Sequence, residues 1–122
     1  MKPEVKSLDE NQEYHFKLDC YILEMSNDAS DPDVSIARAR IGPGQTTQWY
    51  MMKDTVKRYV ILDGEGEVSV GDDLVQRVKV GDVVIIPPDT KQRIQNTGTK
   101  ELAFLAICSP RFQIANCTSL EP

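Results

Sequence analysis

The sequence predicts an all-β fold, a sandwich or barrel, on three observations. From Val34 onward, short β-favouring runs alternate with turn clusters at intervals of roughly 6 to 12 residues. No segment carries the apolar period of an amphipathic helix longer than two turns. Seven Gly and seven Pro supply the corners that a turn-rich chain requires.

Residues 1–18 are highly charged and weakly periodic, and are expected to form an N-terminal arm, either loose or an edge strand that joins a partner subunit. CYILEM, residues 20–25, reads as a strand, and SNDASDPD, residues 26–33, as a loop of turn formers. The runs VSIARARI, TTQWYM, KRYVIL, EVSV, LVQRVKV, DVVIIP, QRIQN and ELAFLAIC then follow. Between them lie turn clusters such as Gly42-Pro43-Gly44, Asp63-Gly64-Glu65-Gly66, Gly71-Asp72-Asp73 and Pro87-Pro88-Asp89. The expected organisation is an arm over 1–18, one barrel domain over 19–112 and a C-terminal tail over 113–122.

A chain of 122 residues with net charge -5 suits one domain and advertises neither nucleic acid nor an anionic membrane as partner. No stretch approaches the roughly 18 apolar residues of a membrane span, and the N-terminus has no apolar run of signal-peptide type. Cys20, Cys108 and Cys117 form no CxxC pair, which points to a reducing compartment and a cytoplasmic protein. Cys20 and Cys108 sit in apolar runs and read as buried thiols, whereas Cys117 lies in a polar tail. His15 has no ligand-type residue at a metal-like spacing and reads as structural.

Two segments carry the chemical question. GQTTQWYMMKDTVKRYVILDG, Gly44 to Gly64, resembles the first cupin motif, Gly-x5-His-x-His-x3,4-Glu-x6-Gly, with Tyr50, Met52 and Lys57 at the ligand positions. GDVVIIPPDTKQRIQN, Gly81 to Asn96, resembles the second, Gly-x5-Pro-x-Gly-x2-His-x3-Asn, with Gln92 at the ligand position and Asp89 replacing the Gly. The resemblance spans about residues 35–108 and implies a double-stranded β-helix, or jelly-roll barrel, of eight strands in two sheets. It identifies a small single-domain cupin whose metal-ligand positions are degenerate.

Because strand side chains alternate between faces, Tyr50 and Met52 inward imply Lys57, Tyr59 and Ile61 inward, and Gln92, Ile94 and Asn96 likewise. In VSIARARI, either Ala37, Ala39 and Ile41 or Ile36, Arg38 and Arg40 face in. Burying two unpaired guanidinium groups is costly, so the alanine face is the better inward candidate. The competing reading makes Arg38 and Arg40 a pair that holds an anionic substrate. On the last strand, sequence alone does not choose between Leu102, Phe104, Ala106 and Cys108 and the neighbours Ala103, Leu105 and Ile107. The resemblance favours Phe104, Ala106 and Cys108.

Cupin metals are held by imidazoles and a carboxylate, donors that suit first-row ions. A protonated Lys57 has no lone pair, Gln92 offers an amide, and Met52 is a soft thioether, so no metal or other cofactor is expected. What remains is a pocket formed by Tyr50, Met52, Lys57, Gln92 and Phe104, the expected ligand-binding residues. The first expectation is a binding module for a polar or anionic small molecule, such as a sugar derivative or carboxylate. The alternative is a metal-independent sugar or sugar-phosphate isomerase or epimerase with Tyr50 and Lys57 as acid and base; a metal-dependent dioxygenase is disfavoured by the donor set. Trp49, next to Tyr50, should face outward, into packing or a dimer contact rather than against a sugar. Outward Val60, Leu62, Leu105 and Ile107 predict a homodimer.

Overall fold

The computed structural model describes residues 1–121 and consists of two facing antiparallel sheets, as the spacing of the runs requires. The strands are β1 (Tyr14–Phe16), β2 (Cys20–Ser26), β3 (Ser35–Ile41), β4 (Tyr50–Met52), β5 (Val56–Asp63), β6 (Glu65–Val70), β7 (Leu74–Lys79), β8 (Val83–Ile86), β9 (Gln92–Asn96), β10 (Leu102–Ser109) and β11 (Cys117–Ser119). One sheet runs β1-β2-β3-β10-β5-β8 and the other β11-β4-β9-β6-β7. This is the jelly roll of the double-stranded β-helix.

Alternation decides the core. Along β5, Lys57, Tyr59 and Ile61 are buried while Arg58 and Val60 are only half-buried, and β9 buries Gln92, Ile94 and Asn96 while exposing Arg93 and Gln95. The last strand faces inward with Leu102, Phe104, Ala106 and Cys108. Its register explains the choice, because Phe104 lies opposite Ala39 of β3 and Ala106 opposite Ala37, so the small residues of one strand leave space for the ring of the next. On β3 the alanine face is inward, and Arg38 and Arg40 point outward to carboxylates rather than to a substrate.

Those arginines fasten the arm, expected as either a loose segment or an edge strand on a partner subunit, to the sheet of its own chain. Arg38 forks onto Glu10 at 3.0 and 2.9 Å and reaches Glu13 at 3.2 Å, while Arg40 bonds Glu13 at 2.7 Å and Glu101 at 2.5 Å. Bidentate guanidinium–carboxylate pairs of this kind are geometrically specific. Hydrogen bonding from Arg40, opposed by burial, holds the Glu13 carboxyl below the usual carboxylate range. Beyond the ion pairs, Tyr14–Phe16 pairs with β2 of the same chain and Leu18 is buried, so the sheet begins inside the expected arm. The C-terminal tail is corrected similarly: β11 pairs with β4, Cys117 against Met52, and Cys117 is buried rather than in a polar surround.

Two motif residues have purely architectural tasks. Asn96 is fully buried and donates to the carbonyls of Ile41 and Lys100, both at 2.9 Å, while accepting from the Gly98 amide at 2.9 Å. Asp89, where the motif has Gly, takes the left-handed conformation with φ 57° and accepts from the Asp54 amide at 3.2 Å. Aspartate tolerates that conformation better than most residues, which is why the substitution leaves the turn intact.

Candidate functional site

Tyr50 and Gln92 stand opposite each other on β4 and β9 of one sheet, and Lys57 and Tyr59 alternate inward along β5 of the other. The four side chains interleave across the barrel in a continuous hydrogen-bonded chain. Lys57 Nζ donates to Tyr50 Oη at 2.7 Å, Tyr50 and Tyr59 share a hydroxyl–hydroxyl bond of 2.5 Å, and Tyr59 Oη donates to Gln92 Oε1 at 3.0 Å. Gln92 Nε2 is buried without a partner among the described residues. The Lys57 ammonium also lies 4.7 Å from the Tyr50 ring centroid and 5.5 Å from that of Tyr59, and these π faces offset part of its lost hydration.

Lys57 opens onto a cavity of about 50 Å³. Its wall is mostly apolar, with Phe16 and Ile22 from β1 and β2, Ala37 and Ala39 from β3, Phe104 from β10 and Phe112 from the segment after it. Tyr50, Tyr59 and Thr47 add polar atoms, and Lys57 is the cation of this wall. Phe104 lies with its ring centroid 4.5 Å from that of Tyr59, fixing the phenol from the side.

Burial dominates the electrostatics. It holds Tyr50 and Tyr59 well above the usual phenol range, and it raises the thiols of Cys20, to about 11, Cys108 and Cys117. For Lys57, burial is again the largest influence and pulls downward, whereas charge on Tyr59, Cys108, Cys117 and Cys20 would lift its pKa above the ordinary lysine value. Because burial keeps those phenols and thiols protonated near neutral pH, the lift is absent there. Near neutral pH the burial of its charged form is therefore the chief cost at Lys57, and no carboxylate offsets it among the described residues.

Of the five residues expected to form the pocket, Tyr50, Lys57 and Phe104 line the cavity. Gln92 stands behind Tyr59 and touches the cavity only through it. Met52 lies apart from the cavity: it is buried and packs with Leu18, Tyr50 and Cys117, the last brought beside it by the pairing of β11 with β4. Tyr59, Phe16, Ile22 and Phe112 were not expected as site residues. Tyr59 carried a signal, its inward parity two residues after Lys57; the others enter from segments that lie outside both motifs. Trp49 faces outward, half-buried between Lys91 and Arg93, the latter guanidinium 4.6 Å from its ring centroid.

The donor set does not fit a cupin metal. No cluster of three or more His, Cys, Asp or Glu side chains occurs among the described residues, and the groups at the ligand positions satisfy one another instead.

The profile of the cupin domain matches residues 37–108. An uncharacterized protein of Methanocaldococcus jannaschii is 30% identical over 87 residues, 71% of this chain and 69% of the relative. Among solved structures, a double-stranded β-helix protein of Klebsiella pneumoniae superposes with TM-score 0.78 at 18% identity, covering 98% of this chain and 100% of the other. The Streptomyces nucleoside dehydratase Pac13, in a structure with uridine, gives TM-score 0.77 at 15% identity, covering 94% and 90%. At these identities the structural likeness speaks for the fold. Among the described residues, no helix is long and apolar enough to cross a membrane.

Proposed function

Because this chain belongs to the cupin family, whose barrels hold small molecules in their interior, we propose that its cavity binds a polar or anionic small molecule, a sugar derivative or a carboxylate, through Lys57 and without a metal. The observation that carries this reading is the state of Lys57. Its ammonium is buried in the cavity wall, bonds one phenol, and forms no ion pair with a carboxylate among the described residues. An uncompensated buried cation is costly, and an entering anion would supply the missing charge and acceptors.

Lys57→Met tests it. The variant should be as stable as the wild type or more so, since an apolar chain of similar length avoids the desolvation cost, and it should lose ligand-induced stabilisation. A ligand at about 100 times its dissociation constant raises the stability of the wild type by roughly 2.7 kcal/mol, which a melting experiment resolves. Unchanged binding in Lys57→Met would overturn the reading.

A second reading rests on the 2.7 Å bond between Lys57 and Tyr50, a proton donor and acceptor in direct contact in the cavity wall. On it, the barrel is a metal-independent isomerase or epimerase, or another acid–base enzyme. The nucleoside dehydratase among its structural neighbours makes a cupin enzyme a reasonable comparison. Tyr50→Phe separates the two readings, since a binding module keeps most of its affinity while an enzyme loses turnover.

We also propose a homodimer through the outer face of β5, β8 and β10, where Leu62, Val83 and Ile85 are exposed beside Val60, Leu105 and Ile107. A cytoplasmic setting accords with three free thiols.

A further inference from the structure

The cavity around Lys57 offers one focus for charge and little for a string of hydroxyls. Its polar atoms are largely committed: Thr47 Oγ1 accepts from the Ile94 amide at 3.1 Å, Ser35 Oγ from the Phe112 amide at 2.8 Å, and Tyr59 Oη donates to Gln92. Asn27 is held from both ends, its Nδ2 donating to the Phe112 carbonyl and its Oδ1 accepting from Arg111, each at 3.0 Å. Lys57, when protonated, has three donors and spends one on Tyr50. The two that remain match the two oxygens of a carboxylate.

The rest of the wall sets the body of the ligand. Phe16, Ile22, Ala39, Phe104 and Phe112 would strip water from sugar hydroxyls without replacing it, whereas they would shelter a hydrocarbon. At about 50 Å³ the space exceeds what a single water needs, roughly 10–15 Å³, and falls below the engineered cavity of about 150 Å³ that takes benzene. Glu24, the carboxylate in this wall, is exposed and hence at the rim, where it accepts from Tyr14 at 3.4 Å and would repel a second anionic group. A phosphate, with nearly two negative charges, would also meet a single cation.

We propose that the cavity selects a short monocarboxylate, of about two or three carbons, with its carboxylate on Lys57 and an apolar body against Ile22 and Phe104. This rests on the reading of Lys57 as an anion anchor and narrows its ligand class.

The test is calorimetric titration of the purified protein with propionate, the neutral propionamide, succinate and glucose 6-phosphate. Propionate should bind at least about tenfold more tightly than propionamide and succinate, and Lys57→Met should remove that preference. Ala37→Leu, which adds bulk to the wall while leaving Lys57 in place, should weaken propionate by about tenfold yet spare acetate. If glucose 6-phosphate or succinate binds through Lys57 and propionate does not, the monocarboxylate class falls while the anion anchor stands. If propionate binds equally to wild type and Lys57→Met, or no anion binds at all, both fall.

Discussion

At the scale of single residues, the barrel interior is governed by the cost of placing ionisable groups out of water. Tyr50 and Tyr59, both almost fully enclosed, are held well above the usual phenol range by burial. The consequence for stability has a definite sign. Unfolded phenols ionise near pH 10, whereas the folded ones keep their protons above it, so the folded chain binds more protons there. Stability should be full below about pH 10 and should fall as the pH rises past it. An ultraviolet titration should show the phenolate signal of these tyrosines appearing together with unfolding; a smooth ionisation in a chain still folded by circular dichroism would contradict the burial argument.

Among the elements, the corner between β5 and β6 is the most demanding. Gly64 has φ +80°, and a Cβ there would lie 2.6 Å from the Glu101 carbonyl oxygen; a Cβ on Gly66 would lie 2.6 Å from that of Gln95. Backbone atoms cannot swing aside, so Gly64→Ala and Gly66→Ala should each cost on the order of 2 kcal/mol or more. Gly81→Ala, with φ +92° but nothing within 4 Å, should cost only about 1 kcal/mol, so denaturant melts should rank it mildest. This corner was readable from the sequence as a glycine pair between strand patterns, and the inward set of β5 and β9 followed from parity because each strand has one buried and one wet face. The roles of β1 and β11 were not readable. Each is three residues long, too short to show alternation, and each owes its place to contacts distant in sequence, Tyr14 with Ile22 and Cys117 with Met52. The same distance explains the site: spacing located Lys57 and Tyr50, while Met52 packs beside Cys117, which arrives from the other end of the chain.

For the whole molecule, the outer face of β5, β8 and β10 sets the expected assembly. Ile85 is 63% exposed and Val83 57%, on a strand whose inward Val84 and Ile86 are buried, so a second copy is the natural cover. Light scattering at micromolar concentration should give twice the 13.7 kDa chain mass, and Ile85→Glu should return it to one; a single chain mass for the wild type would defeat the dimer. The hydrogen-bonded chain that crosses the barrel has a consequence for anyone wishing to rebuild a metal centre here. Its members come alternately from the two sheets, and each completes the next. Histidine placed at position 50 alone removes the hydroxyl through which Lys57 and Tyr59 are joined, and glutamate at 57 alone buries a carboxylate with no cation to balance it. Each such step breaks the chain of bonds or buries an unbalanced charge, at a cost of about 1–3 kcal/mol before any metal can bind. The route back to a metalloprotein therefore climbs before it descends. Single replacements should bind no better than the starting chain, and only a concerted exchange at 50, 57 and 92, with Tyr59 made apolar, avoids the climb.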